Sequence, residues 1–382
     1  MGSGLQEERP RAHRGGIGGN ILSNRGGIKL ERTNFGQRSR CYFIAEIGAN
    51  HEGDFSRAID LATLAADAGA DAVKFQNIRA DRLGSRRGFD RLYREFGNKS
   101  QHAVHALEAY KAVEIPVTWI KDMRQVCDEL GIDLITAPYY LEDIDNLAPY
   151  VDAFKVGSGD FSWVEKNLAL LRTGKHLILA TGMESLSGVA KVMSELEAHH
   201  DGLTLLQCNS NYSGEPGNLA SLNLKVIQTF RSLWPRAQVG LSDHTKSVAV
   251  VTAAVALGAS LVERHFADDG GRPGPDHRIA LDFNAWSEMV RLVRETEQAL
   301  GSPVKVCESN ETYSAMTQRR ALRASRSLTP GQVLSRQDIT VLRPWLPGSL
   351  GPADIGLAVG SVVATPVSAG DEIRAEFLQR KD

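Results

Sequence analysis

From residue 41 onward, short apolar runs rich in β-branched residues alternate with longer segments of helical period. The runs predict strands over 41–47, 72–76, 133–137, 153–157, 177–181, 203–208, 238–242 and 261–266. Strands buried on both faces carry such continuous apolar runs, bounded by turn residues. Between them, helical spacing predicts helices over 56–68, 118–130, 164–172, 188–198, 222–233 and 247–257, with another over 284–300 after the last strand. Strand–helix alternation repeated eight times predicts a (β/α)8 TIM barrel, an α/β fold, over 41–300. A doubly wound open sheet ranks second, because no glycine-rich dinucleotide fingerprint follows the first strand.

The pattern changes after the barrel. Residues 301–318 are polar without clear period and read as a linker, and 319–382 read as a small β domain. There SLTPGQVL (327–334) and PVSAGDEI (366–373) echo each other as strand, turn and strand, with glycine at the turn. So small a domain has a thin core and gains stability by packing on something else. Residues 1–40 are rich in Gly and Arg, lack an apolar h-region, and read as a flexible tail.

Composition narrows the function classes. The 382 residues are 42% hydrophobic and 24% charged, with 44 Lys and Arg against 46 Asp and Glu. That near balance shows no basic excess for nucleic acid or an anionic membrane, and no apolar run of transmembrane length occurs. The four cysteines (Cys41, Cys127, Cys208 and Cys307) lack CxxC or zinc spacing, so they read as reduced thiols of a cytoplasmic protein.

Candidate chemistry collects at strand ends. Lys74, Lys155, His244 and His265 each close an apolar run, where a buried cation or unpaired imidazole is unfavourable without an anionic or metallic partner. In a barrel the carboxyl ends of the strands form one mouth, so these residues converge. Lys74 and Lys155, with the hydroxyls of Thr136, Ser158, Ser210 and Ser242, suit a small anion bearing phosphate and carboxylate. The same lysines could instead snorkel or pair with barrel carboxylates, or one could act as a Schiff-base nucleophile. His244 and His265 end adjacent strands and suit one divalent cation with an open coordination position. Glu46, on the neighbouring strand, could orient a metal-bound water or an aldehyde. Asp243, Glu263, Arg264 and Asp268 read as ion pairs fixing the barrel rim, and Arg264 could equally bind phosphate.

The motifs AEIGANHEG (45–53), VKFQ (73–76), KVGSG (155–159), TGM (181–183), GLSDHT (240–245), ERHF (263–266) and RPGPDH (272–277) together resemble the N-acetylneuraminate (sialic acid) synthase family. The resemblance includes a C-terminal segment similar to the antifreeze-like (SAF) domain and spans about residues 41–378. It implies condensation of phosphoenolpyruvate with the aldehyde of an N-acylated amino sugar, giving a nine-carbon 2-keto-3-deoxy acid and phosphate. By motif, Lys74, Thr136, Lys155, Ser158, Ser210 and Ser242 would bind phosphoenolpyruvate, and His244 and His265 would hold Mn2+, or else Mg2+. Glu46, Gln76, Asp160, Tyr212 and Asp276 would meet the sugar, with Glu46, Lys74, His244, His265 and Asp276 catalytic. The resemblance further implies a domain-swapped homodimer in which Arg343, within VLRP (341–344), reaches the partner's site.

Five departures leave the named phosphate and metal residues intact, although Ala180 removes a possible phosphate hydroxyl. Asp160 stands where the family commonly has Glu, Ala180 replaces a frequent Ser, and Gln207 replaces a usual His. Ser213 replaces a usual Pro after Tyr212, and WLPG (345–348) follows Arg343 where a small glycine loop is common. Two alternatives stay open. One is a 3-deoxy-ulosonic acid synthase acting on a phosphorylated aldose, with Arg79, Arg82, Arg86 and Arg87 for its second phosphate; the other is a non-catalytic carbohydrate-binding barrel.

Overall fold

The structure, a computed structural model, describes residues 40–96, 110–198, 202–269 and 276–379, together with 271, 272 and 274. All of the tail predicted over 1–40 except Arg40 lies outside the described residues. The chain divides after Leu300 into two compact units.

The first unit is a closed barrel of eight parallel strands in sequence order. They are β1 Tyr42–Glu46, β2 Ala72–Asn77, β3 Asp133–Pro138, β4 Ala153–Val156, β5 His176–Ala180, β6 Leu203–Cys208, β7 Gln238–Asp243 and β8 Leu261–His265. Each falls within a residue or two of its predicted run. The helices include α1 Phe55–Asp67, α2 Val117–Leu130, α3 Val164–Arg172, α4 Leu186–Leu196, α5 Val226–Leu233, α6 Val248–Ala256 and α7 Phe283–Leu300, and a further helix spans Arg86–Phe96 in the loop after β2. Asp54 caps α1 by accepting the Ser56 and Arg57 amides, and α2 ends at Gly131, whose φ of 71° a side chain would resist. Between β3 and β4 only short turns form, Leu141–Asp143, Ile144–Leu147 and Ala148–Tyr150.

Side-chain alternation along the strands separates two cores. Outward residues such as Val73, Phe75, Leu134, Phe154, Leu177, Leu241 and Val262 pack with the helices. Inward residues Tyr42, Ile44, Ala72, Ile135, Ile178, Leu206 and Leu261 fill the barrel. At the amino-terminal end Tyr42 donates to Asp133 at 2.6 Å, and His176 meets Thr204 at 2.7 Å. Apolar layers lie above, so polar inward residues at the opposite end form a separate, upper layer. Among the described residues, no helix is long and apolar enough to cross a membrane.

The second unit pairs β9 Ala321–Ala324 with β10 Ile339–Leu342, and β11 Val362–Val363 with β12 Leu378–Gln379, both antiparallel. The two echoing segments meet through a Leu328–Val367 bridge. Their turns use Gly331 and Gly370 at φ of 86° and 89°. Its core includes Leu322, Leu328, Leu334, Ile339, Val363 and Ile373. Within the predicted linker, Thr312–Gln318 forms a short helix.

Candidate active site

Strand register assembles the upper layer. β1 lies between β8 and β2, so Glu46 is flanked by His265 and Lys74, while Ser242 of β7 stands beside Glu263 of β8. Inside the barrel, Lys74 is ion-paired with Glu46 and lies 3.8 Å from Glu263, which in turn pairs with Lys155 at 3.0 Å. All four are buried. Burial would raise the Glu263 carboxyl, but Lys155 and Lys74 outweigh it and hold it down at about 2. Burial would also lower Lys74, and here Glu263 and Glu46 prevail, so the ammonium stays charged.

Glu263 therefore does not fix the rim as expected from sequence. Two residues before His265 on the same strand, it shares that residue's inward face. The lysines do pair with barrel carboxylates, yet each ammonium carries three donors, leaving capacity for a ligand. The other three expected rim charges behave as pairs. Arg264 faces outward, 3.3 Å from Asp243, and Asp268 takes a two-pronged bond from Arg57 at 2.8 and 2.6 Å.

The hydroxyls divide. Ser158 Oγ accepts the Gly182 amide at 3.1 Å. A Cβ at residue 182 would sit 2.2 Å from Ser210 Oγ and 2.8 Å from Ser158 Oγ, so glycine there is what lets two hydroxyls and an amide share one spot. Ser242 is inward and buried. Thr136 does not join them: Leu134 and Thr136 share the outward face of β3, and the Thr136 hydroxyl donates to the Phe75 carbonyl at 3.2 Å and to Asn77.

His244 and His265 have ring centroids 5.6 Å apart, with Tyr212 4.1 Å from His244. His244 Nδ1 lies 3.0 Å from the Asn209 carbonyl, an acceptor that assigns the proton to Nδ1 and leaves Nε2 as a lone-pair donor. Burial would lower this imidazole, but the Cys208 thiol and the Asn209 carbonyl raise it above its ordinary value. Burial dominates at His265, pushing it down to about 4 and keeping it neutral. Its Nδ1 is buried without a hydrogen-bond partner, 3.7 Å from Asp276 Oδ2. One imidazole with an oriented Nε2 and one with an orphaned Nδ1 fit a divalent cation that takes its remaining ligands from water or substrate, His244 binding it in its deprotonated form. Among the described residues, no group of three or more His, Cys, Asp or Glu forms a full cage.

Asp276 also accepts the Ala49 amide at 2.9 Å, beside Gly48, whose φ is 51° and where a Cβ would lie 2.4 Å from Asp276 Oδ2. Gln76 donates to Glu46 at 2.6 Å and meets the Tyr139 hydroxyl at 3.4 Å. Asp160 closes the turn Ser158–Asp160 and is ion-paired with Lys166 of α3. Glu46, Gln76, Asp160, Tyr212 and Asp276 thus lie on strands and loops at the carboxyl end of the barrel. Arg343 belongs to the second unit. Sequence reasoning placed Glu263 at the rim, although its two-residue spacing from His265 signals the inward face, and it missed Tyr139 and Lys166.

A barrel whose mouth holds two buried lysines, two imidazoles and serine hydroxyls around a glycine defines an anion-handling enzyme site. Residues 61–305 match the NeuB family and residues 319–379 the SAF domain. The N,N'-diacetyllegionaminic acid synthase of Legionella pneumophila is 32% identical over 350 residues, 90% of this chain and 96% of that protein. The human N-acetylneuraminate-9-phosphate synthase is 30% identical over 90% of this chain and 94% of its own length. Among solved structures, the N-acetylneuraminic acid synthetase of Leptospira borgpetersenii, in complex with citrate, aligns with a TM-score of 0.62 at 26% identity, covering 72% of this chain and 90% of that one. The chain belongs to the NeuB family, and is a carbon–carbon bond-forming synthase with a C-terminal SAF domain.

Proposed function

We propose that the enzyme condenses phosphoenolpyruvate with the open-chain aldehyde of a non-phosphorylated, N-acylated amino sugar, giving a 2-keto-3-deoxy nonulosonic acid and phosphate. The observation that carries this reading is the buried layer in which Lys74 and Lys155 share Glu263 beside the Ser158 and Ser210 hydroxyls. The lysines and the Ser158, Ser210 and Ser242 hydroxyls bind the enol phosphate and its carboxylate, with the Gly182 amide orienting Ser158. In this low-dielectric layer each charge-assisted hydrogen bond is strengthened. The bond forms between C3 of phosphoenolpyruvate and the aldehyde carbon; water adds at C2, and the C2–O bond to phosphate then breaks. Glu46, buried beside Lys74 and held by Gln76, is positioned at that reacting centre. His244 and His265 hold a divalent ion, Mn2+ in this reading, which when bound supplies Lewis-acid polarisation of the aldehyde. Gln76, Asp160, Tyr212 and Asp276 orient the sugar. In a domain-swapped homodimer, Arg343 of a second copy would contact the N-acyl group.

The phosphorylated-aldose reading is disfavoured at two of its four arginines, Arg79 and Arg82, whose charges are balanced by carboxylates. Arg79 pairs with Glu142 and Asp143 at 3.1 and 3.0 Å, Arg82 pairs with Glu142, and both stack on Tyr140. The test is phosphate release from phosphoenolpyruvate with N-acyl hexosamines, their 6-phosphates and simple aldose phosphates, with Mn2+ or with chelator. Release with a non-phosphorylated N-acyl hexosamine, lost on chelation, is expected. Release only with a phosphorylated aldose would establish the shorter-acid reaction instead.

A further inference from the structure

Lys166 is a buried lysine that the phosphate layer does not use. It sits in the first turn of α3, where its charge opposes the positive end of the helix dipole, and it is 1% exposed. Helical lysines at such positions extend their ammonium groups to water. Here Nζ instead donates to the Pro138 carbonyl at 3.2 Å and pairs with Asp160. The Trp163 and Tyr139 rings lie 5.3 and 5.8 Å away. Burial pulls the ammonium below its ordinary pKa, against the opposing pull of Asp160. Burial, dipole and lost rotamer freedom all disfavour lysine at this position, so the pairing with Asp160 is what it contributes.

Asp160 keeps a side chain 29% exposed, two residues after Ser158. It therefore borders the phosphate spot while remaining within reach of a second ligand. Tyr139, beside Lys166, touches Gln76 and through it Glu46. We propose that Lys166 is a positioning residue for acceptor specificity: it fixes Asp160 so that the remaining carboxylate oxygen accepts a hydrogen bond from a hydroxyl or N–H of the sugar. The inference rests on the proposed function, since it needs an acceptor in the mouth.

The test is steady-state phosphate release by the full-length enzyme, varying each substrate in turn. Lys166→Met is expected to raise the acceptor KM about tenfold while the phosphoenolpyruvate KM stays within about twofold. Asp160→Asn, milder because the residue is partly exposed, shifts the same parameter. The double variant is no worse than Lys166→Met, because the two residues act as one unit. Lys166→Gln keeps two N–H donors and falls between Lys166→Met and wild type. Both KM values rising together, neither rising, or multiplying effects in the double variant would overturn the inference. Wild-type enzyme releasing no phosphate with any sugar would remove the proposed function itself, and the inference with it.

Discussion

Glu263 and Arg264 are neighbours on one strand, both buried and charged, yet they belong to different machines. Arg264 faces the helices, where Asp243 and the Thr245 and Ser247 carbonyls surround it. Glu263 faces the barrel interior between two lysines, and its second oxygen has no hydrogen-bond partner. Burial and charge alone do not mark a site. What separates the two clusters is which face of the strand they occupy, since each keeps a buried polar atom without a hydrogen-bond partner.

Variants on each face should separate the two roles. On the inner face, His244→Ala is expected to cut turnover by about a thousandfold or more, since it removes one of the two proposed metal ligands. Its thermal midpoint should stay near wild type, because the ring lies at the barrel mouth; near-normal, chelator-sensitive turnover would refute the metal assignment. On the outer face, Arg264→Met leaves Asp243 buried without its cation and should lower stability by about 3–5 kcal/mol. Denaturant unfolding checks that value, and the folded enzyme should keep both KM values. A selective change in the phosphoenolpyruvate KM would instead make Arg264 a phosphate ligand.

Much of this was legible in the sequence, for physical reasons. Parallel strands buried on both faces must be apolar, so all eight appear as runs, and a lysine or histidine closing such a run is conspicuous. Facing direction was the weak point. Thr136 ends a strand as Lys74 and Lys155 do, but its place in the alternation turns it outward to Asn77. Glu263 has the same spacing logic and turns inward. Lys166 lies on a helix, where a lone lysine reads as solvated, and only the fold of the loops after β3 and β4 buries it against Pro138 and Asp160. Arg86–Phe96 is a helix that the sequence did announce: Phe89, Leu92, Tyr93 and Phe96 recur at helical spacing among charged residues, a stripe that a reading of the strands passes over. In the second unit the paired strands β11 and β12 are only two residues each, too short for periodicity to register.

A divided mouth would take phosphoenolpyruvate on the lysine side and the sugar on the Asp160 side. Calorimetric titration of phosphoenolpyruvate alone into Lys155→Met and Asp160→Asn tests it directly. The prediction is that Lys155→Met weakens binding by about a hundredfold or more, as expected for loss of a buried charge-assisted contact, while Asp160→Asn binds as wild type does. Equal losses in both variants, or unchanged binding in Lys155→Met, would contradict it.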